Sequence, residues 1–178
     1  MNRSATYSVL IAMPRAAAWE KLSDLSLAHH YVPGLVRSEI ITATKMGLGA
    51  SRRVYQSETR CIDETVIEWQ EGQGFLIRLH RGDKGAPPPF REATFRYWLE
   101  DAGVDATRLT TTLAYTPRWG VLGRMLDRLL LAKAIRGSVR DVAICLRDFY
   151  QTGQAVTPER LQTLRAERRS LRASTAAV

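Results

Sequence analysis

The chain has 178 residues, 45% of them hydrophobic and 25% charged, with a formal net charge of +8. That length supports one domain able to bury a core without disulfides or a metal, and the composition excludes a disordered chain. No stretch approaches the roughly 20 apolar residues of a membrane span, because Val121 to Leu131 is broken by Arg124, Asp127 and Arg128. Residues 1–20 lack the basic start and unbroken apolar run of a secretion signal, so a soluble cytoplasmic protein is expected.

Ala5 to Met13 carries Tyr7, Val9, Leu10 and Ile11 in loose alternation, a strand that ends at Pro14. Pro14 then opens a helix through Trp19 and Leu22, since proline is tolerated where the first-turn N–H would be unpaired anyway. A second short helical piece from Ser26 to Tyr31 is closed by Pro33-Gly34. From Leu35 onward, β-branched and aromatic runs are punctuated by Gly47-Leu48-Gly49, Glu71 to Gly74, Gly82 to Pro89 and Asp101 to Gly103. This texture predicts strands near 35–44, 50–58, 60–70, 74–81, 91–100 and 105–116, antiparallel because short loops join neighbours. Gly82 to Pro89, with three consecutive prolines, reads as a mobile loop or gate.

The last large element is the clearest. Leu122, Met125, Leu129, Ala132, Ile135, Val139, Val142, Leu146 and Phe149 recur in three- and four-residue steps, the apolar stripe of a helix from about 120 to 151. Gly137 inside it costs about 1 kcal/mol relative to Ala and marks a bend or a close approach, and Gly153 is the stop. Thr157-Pro158-Glu159 then starts a short basic helix. The chain therefore divides into a domain at 1–153 and a basic, partly helical tail at 154–178. That tail reads as a solvated end, as a contact to anionic lipid, or, least favoured for want of interleaved aromatics, as a nucleic-acid contact.

No metal or cofactor motif is present, nor a serine nucleophile elbow or phosphate loop. Cys61 and Cys145 have no metal spacing and read as buried thiols on a strand and a helix. His29 and His30 are adjacent on a helix and point apart, so they are poorly placed to serve one atom.

Period-two alternation supplies the candidate site residues. On 91–100 it sets Phe95, Tyr97 and Leu99 on one face, and on 105–116 Leu109, Thr111, Leu113 and Tyr115, with Tyr97, Thr111 and Tyr115 as polar handles in an apolar wall. Arg53 and Tyr55 share a face near Trp69, and an inward Arg53 would need an acid or an anionic ligand. Alternation turns Arg78 and His80 outward, with His80 kept as a candidate for a cavity mouth. Met125 and Leu129 add helix contacts to the cavity.

The order strand, two short helices, six strands and long helix resembles the START-like (SRPBCC) superfamily, the helix-grip fold of the birch pollen allergen, lipid-transfer domains and polyketide cyclase/dehydrase proteins. The resemblance spans residues 4–152 and is carried by Ala12 to Asp24, Tyr31 to Gly34, Gly47 to Arg53, Val66 to Trp69 and Ala106 to Thr110. It implies an α+β helix-grip fold, a seven-stranded curved antiparallel sheet wrapped around a long C-terminal helix. It also implies an internal cavity for a hydrophobic small molecule such as a lipid, an isoprenoid or a polyketide-like aromatic, without a cofactor. Three functions remain open at this point: a non-enzymatic binder or carrier; a cyclase/aromatase using Arg53, His80, Tyr97 and Tyr115 for proton transfer; and partner or membrane association through the tail.

Overall fold

The computed structural model describes residues 3–118 and 131–176. Strand β1 (Arg3–Ile11) is followed by helix α1 (Arg15–Ser23), a 3₁₀ turn (Leu25–Leu27) and the single-turn helix α2 (Ala28–Tyr31). Then come β2 (Arg37–Ile40), β3 (Ser51–Ser57), β4 (Arg60–Gln70), β5 (Gly74–His80), β6 (Phe90–Gly103) and β7 (Ala106–Pro117). Two helices, α3 (Ala132–Thr152) and α4 (Pro158–Ala176), complete the elements among the described residues. Leu122, Met125 and Leu129, and with them the expected start of the long helix, lie outside the described residues.

The strands form one antiparallel sheet in the order β1-β7-β6-β5-β4-β3-β2. Register shifts at Tyr55/Ser57, Val66/Glu68, Phe90/Glu92 and Asp101/Gly103 interrupt the ladders. Each such irregularity bends a strand and increases its twist. Gly74 is required by a close approach, because a Cβ there would stand 2.1 Å from the Tyr97 carbonyl oxygen.

The inner face carries Val9, Ile11, Val54, Val66, Phe75, Ile77, Phe95, Leu99 and Leu109, which with α1 and α3 make the core. Helix α3 packs against β1 and β7 through its buried Ile135, Val139, Val142 and Leu146. It ends at Gly153, whose φ of 72° only glycine adopts freely and whose N–H bonds the Phe149 carbonyl. A Cβ added at Gly137 would meet nothing outside its own helix backbone closer than Arg140 Nη2 at 3.9 Å, so this glycine marks no close approach.

The opposite side of α3 holds two carboxylates, Asp141 (4% exposed) and Asp148 (7%). Helix α4 covers them. Arg160 clasps Asp148 at 2.6 and 3.1 Å, Arg165 reaches Asp141 at 2.5 Å, and Leu161 and Leu164 are buried between. The expected short helix is thus a 19-residue element: its Arg160 answers Asp148, and its Arg165 joins Arg140 of α3 on Asp141.

Cys145 is buried, whereas Cys61 is exposed, contrary to expectation. Cys61 sits on the outward parity of β4 next to the β3–β4 turn, where nothing covers it.

A buried arginine among three tyrosines

On β3 the inward parity belongs to Arg52 and Val54, each 1% exposed. Arg52 lies directly opposite Glu64 on β4 and donates from Nε to Glu64 Oε2 at 2.6 Å. Its Nη1 donates to the Leu25 carbonyl at 2.9 Å, which fixes the 3₁₀ turn before α2 against the sheet. Its Nη2 is buried and has no hydrogen-bond partner.

Tyr31, the last residue of α2, stands beside this pair. Its ring meets Tyr97 of β6 and Tyr150 of α3, both at 6.4 Å between centroids and nearly perpendicular. The phenols of Tyr31 and Tyr150 are buried without a closed hydrogen bond, although Arg52 and Tyr97 stand close enough to act on the Tyr31 oxygen. Phe75 and Phe95 flank Tyr97 at 5.2 and 4.8 Å, and Trp69 stacks on Phe75 at 5.6 Å. The result is an aromatic wall with one charged pair and three hydroxyls.

Burial raises the pKa of all three phenols, Tyr97 and Tyr150 well above the ordinary value, with Arg52 pulling each of them the other way. Burial also works to discharge Arg52, but Glu64 and the phenols Tyr31 and Tyr97 outweigh it and hold the guanidinium more firmly charged than usual. At neutral pH the cluster is therefore an arginine cation with neutral phenols able to donate.

The structure separates the sequence candidates. Phe95, Tyr97, Leu99, Thr111, Leu113 and Tyr115 point inward and are buried. Thr111 spends its hydroxyl near the carbonyls of Tyr7 and Val139, both at 3.3 Å, tying β7 to α3. Trp69 also turns inward, because the irregularity between Val66 and Glu68 inverts the alternation of β4. Met125 and Leu129 lie outside the described residues.

Arg53, Tyr55 and His80 are on the other face of the sheet, a correction to their place among the cavity candidates. Arg53 forms a two-pronged pair with Asp63 at 2.7 and 3.1 Å. Tyr55 donates to Glu39 and lies under the Arg37 guanidinium. His80 Nε2 meets the Thr65 hydroxyl at 2.8 Å. The physical reason is one residue of parity: Ala50, just before β3, and Val54 on it are apolar and buried, and they carry Arg52 inward between them. That signal was present in the sequence. Glu64, between Ile62 and Val66, was legible in the same way, whereas Tyr31 and Tyr150 join the cluster only through tertiary packing.

The two histidines of α2 stay together, with rings 4.0 Å apart and His30 against Phe149 at 5.2 Å. Burial and then the neighbouring His29 lower the His30 pKa, with Asp24 opposing them. Among the described residues no cluster of His, Cys, Asp or Glu could hold a metal ion, and no helix is long and apolar enough to cross a membrane.

A seven-stranded curved sheet gripping a long C-terminal helix, with two short helices after the first strand, defines a helix-grip protein of the START-like superfamily. The chain belongs to the polyketide cyclase/dehydrase and lipid transport family, whose profile matches residues 2–146. Among solved structures it is similar to the protein TTHA0849 of Thermus thermophilus, at 17% identity and a TM-score of 0.66, over 85% of this chain and 99% of that one. Norcoclaurine synthase of Thalictrum flavum, solved with dopamine and hydroxybenzaldehyde, matches at 13% identity and a TM-score of 0.62, over 84% and 86% of the two chains. The Zhui aromatase/cyclase of a Streptomyces species matches at 14% and 0.60, over 84% and 94%. At such identities these likenesses establish the fold. A comparison with curated protein sequences finds no match.

Proposed function

We propose that the protein binds a small, mainly apolar molecule between the inner face of the sheet and α3, and orients an oxygen of that molecule with Arg52, Tyr31, Tyr97 and Tyr150. The observation that carries this reading is the group of unsatisfied polar atoms on the inner face. Arg52 Nη2 and the phenols of Tyr31 and Tyr150 are buried in a clustered set of side chains without closed hydrogen bonds. An unpaired buried polar group costs about 1–3 kcal/mol, so a ligand oxygen that accepts from these donors recovers that cost on binding. Trp69, Phe75 and Phe95 suit a flat or ring-bearing body.

The test is native mass spectrometry of protein purified from its own host, with extraction and identification of what travels with it. A retained lipid, isoprenoid or aromatic is expected, and Tyr31→Phe and Tyr150→Phe should weaken its retention without unfolding the protein. Protein that is empty, and that takes up no apolar fluorophore, would overturn the reading.

A second reading is favoured by one specific observation: Arg52 and Glu64 form a buried charged pair beside three phenols. In a cyclase/aromatase-type enzyme the guanidinium would stabilise a developing enolate oxygen while a neutral phenol donates to it. Turnover of a poly-β-carbonyl compound to a ring product, lost in Tyr97→Phe, would support catalysis, and binding without turnover would leave the carrier.

A further inference from the structure

The loop joining β2 to β3 carries an apolar tip that the core does not use. Ile41 is 43% exposed, Met46 54% and Leu48 69%, and Ile67 on the neighbouring β4 is 38% exposed. Backbone hydrogen bonds gather them at one end of the sheet: Ile41 N–H to Ser51 O at 2.9 Å, and Gly49 N–H to Val66 O at 2.9 Å, next to Ile67. Single exposed apolar residues such as Leu10 or Val104 are ordinary, but four grouped at one tip are not.

We propose that this tip inserts into the headgroup layer of an anionic lipid bilayer. Three features favour a bilayer over a protein partner. Residues 41–50 contain no acid and one exposed cation, Lys45, on a chain of net charge +8, which complements an anionic surface and lets the lysine stem lie along the apolar layer with its ammonium in the headgroups. The tip turns toward open space beyond its backbone bonds to β3 and β4: Gly47 and Gly49 have φ near +88° and +84°, and a Cβ on either would meet nothing within 4 Å. Several polar groups of the loop are already satisfied within it, which lowers the cost of leaving water: the Thr42 hydroxyl donates to Thr44 O at 2.8 Å and accepts from Ser51 N–H at 2.8 Å, and Ala50 N–H reaches Gly47 O at 3.2 Å. This surface is distinct from the basic helix α4, and it is independent of what the interior holds.

Flotation of the full-length protein with vesicles of phosphatidylcholine, and of phosphatidylcholine mixed with phosphatidylglycerol, tests it. The protein should rise with the anionic vesicles, less at high salt. Met46→Ser and Leu48→Ser should each lower partitioning roughly tenfold, from the loss of one buried apolar side chain, while thermal melting stays as in the parent. In Leu48→Trp, with the other tryptophans as background, emission should shift to the blue and be quenched by brominated lipid. Serine variants that float like the parent, a parent that stays off anionic vesicles, or a lipid-free dimer that Leu48→Ser converts to monomer would each overturn the proposal, the last in favour of a second copy of this chain.

Discussion

Arg52 and Glu64 oppose each other across β3 and β4, with Nε 2.6 Å from Oε2 and the arginine side chain 1% exposed. Breaking such a pair leaves a buried charge alone, at a typical cost of about 3–5 kcal/mol, whereas replacing both partners by apolar residues is often neutral. Arg52→Met should therefore destabilise the protein by about 3 kcal/mol or more, and Arg52→Met with Glu64→Leu should recover most of the loss. Urea denaturation of the two variants checks this. An equal loss in both would mean that the Leu25 contact, not the pair, carries the effect.

Glu71 is gripped by two indoles: Trp19 Nε1 donates to one carboxylate oxygen and Trp69 Nε1 to the other, both at 2.9 Å. The bond from Trp19, then that from Trp69, lowers the Glu71 pKa. A carboxylate with a depressed folded-state pKa stabilises above its unfolded value and loses that contribution as pH falls through the folded value. In an acid titration followed by NMR, the indole N–H signals of Trp19 and Trp69 should move together below the ordinary glutamate range, and Glu71→Gln should abolish the shared step.

Removal of residues 154–178 strips Asp148 of Arg160 and Asp141 of Arg165, and uncovers the surface beneath Leu161 and Leu164. The arginines are partly exposed, so each pair contributes on the order of 1 kcal/mol or less, and burial of the two leucines adds about 1.5–3 kcal/mol each. The truncated chain should be less stable by about 3 kcal/mol or more in chemical denaturation. Undiminished stability would return α4 to the status of a solvated tail.

The two thiols should differ sharply. Cys61 is exposed and should react with a disulfide reagent in the native protein. Cys145 is buried, and burial, with Asp141 and Asp148 nearby, pushes its thiol up to about 12, so it should react only on unfolding. Titration before and after addition of denaturant should count one thiol, then two.

Much of the fold was legible in the sequence because its period is written locally. Phe95, Tyr97 and Leu99 alternate cleanly, Ile135 to Phe149 step at helical spacing, and the Gly47, Gly72 and Gly103 turns punctuate the strands. The site was less legible. Arg53 and Arg52 are adjacent and chemically identical, so residue type cannot choose between them. Only the parity set by Ala50 and Val54 can, and Trp69 shows that one irregular residue inverts such parity.

What the sequence by itself determined was the order of the elements, their amphipathic faces and the class of fold these compose, since each follows from contacts within a few residues. The tertiary structure alone decided that Tyr31, Tyr97 and Tyr150 from three separate elements meet around Arg52, and that α4 closes on Asp141 and Asp148. The physical reason is that buried charges and hydroxyls are settled by partners distant in the chain. Arg52 finds its acceptors on Leu25 and Glu64, and no periodicity within one strand records where such partners will stand.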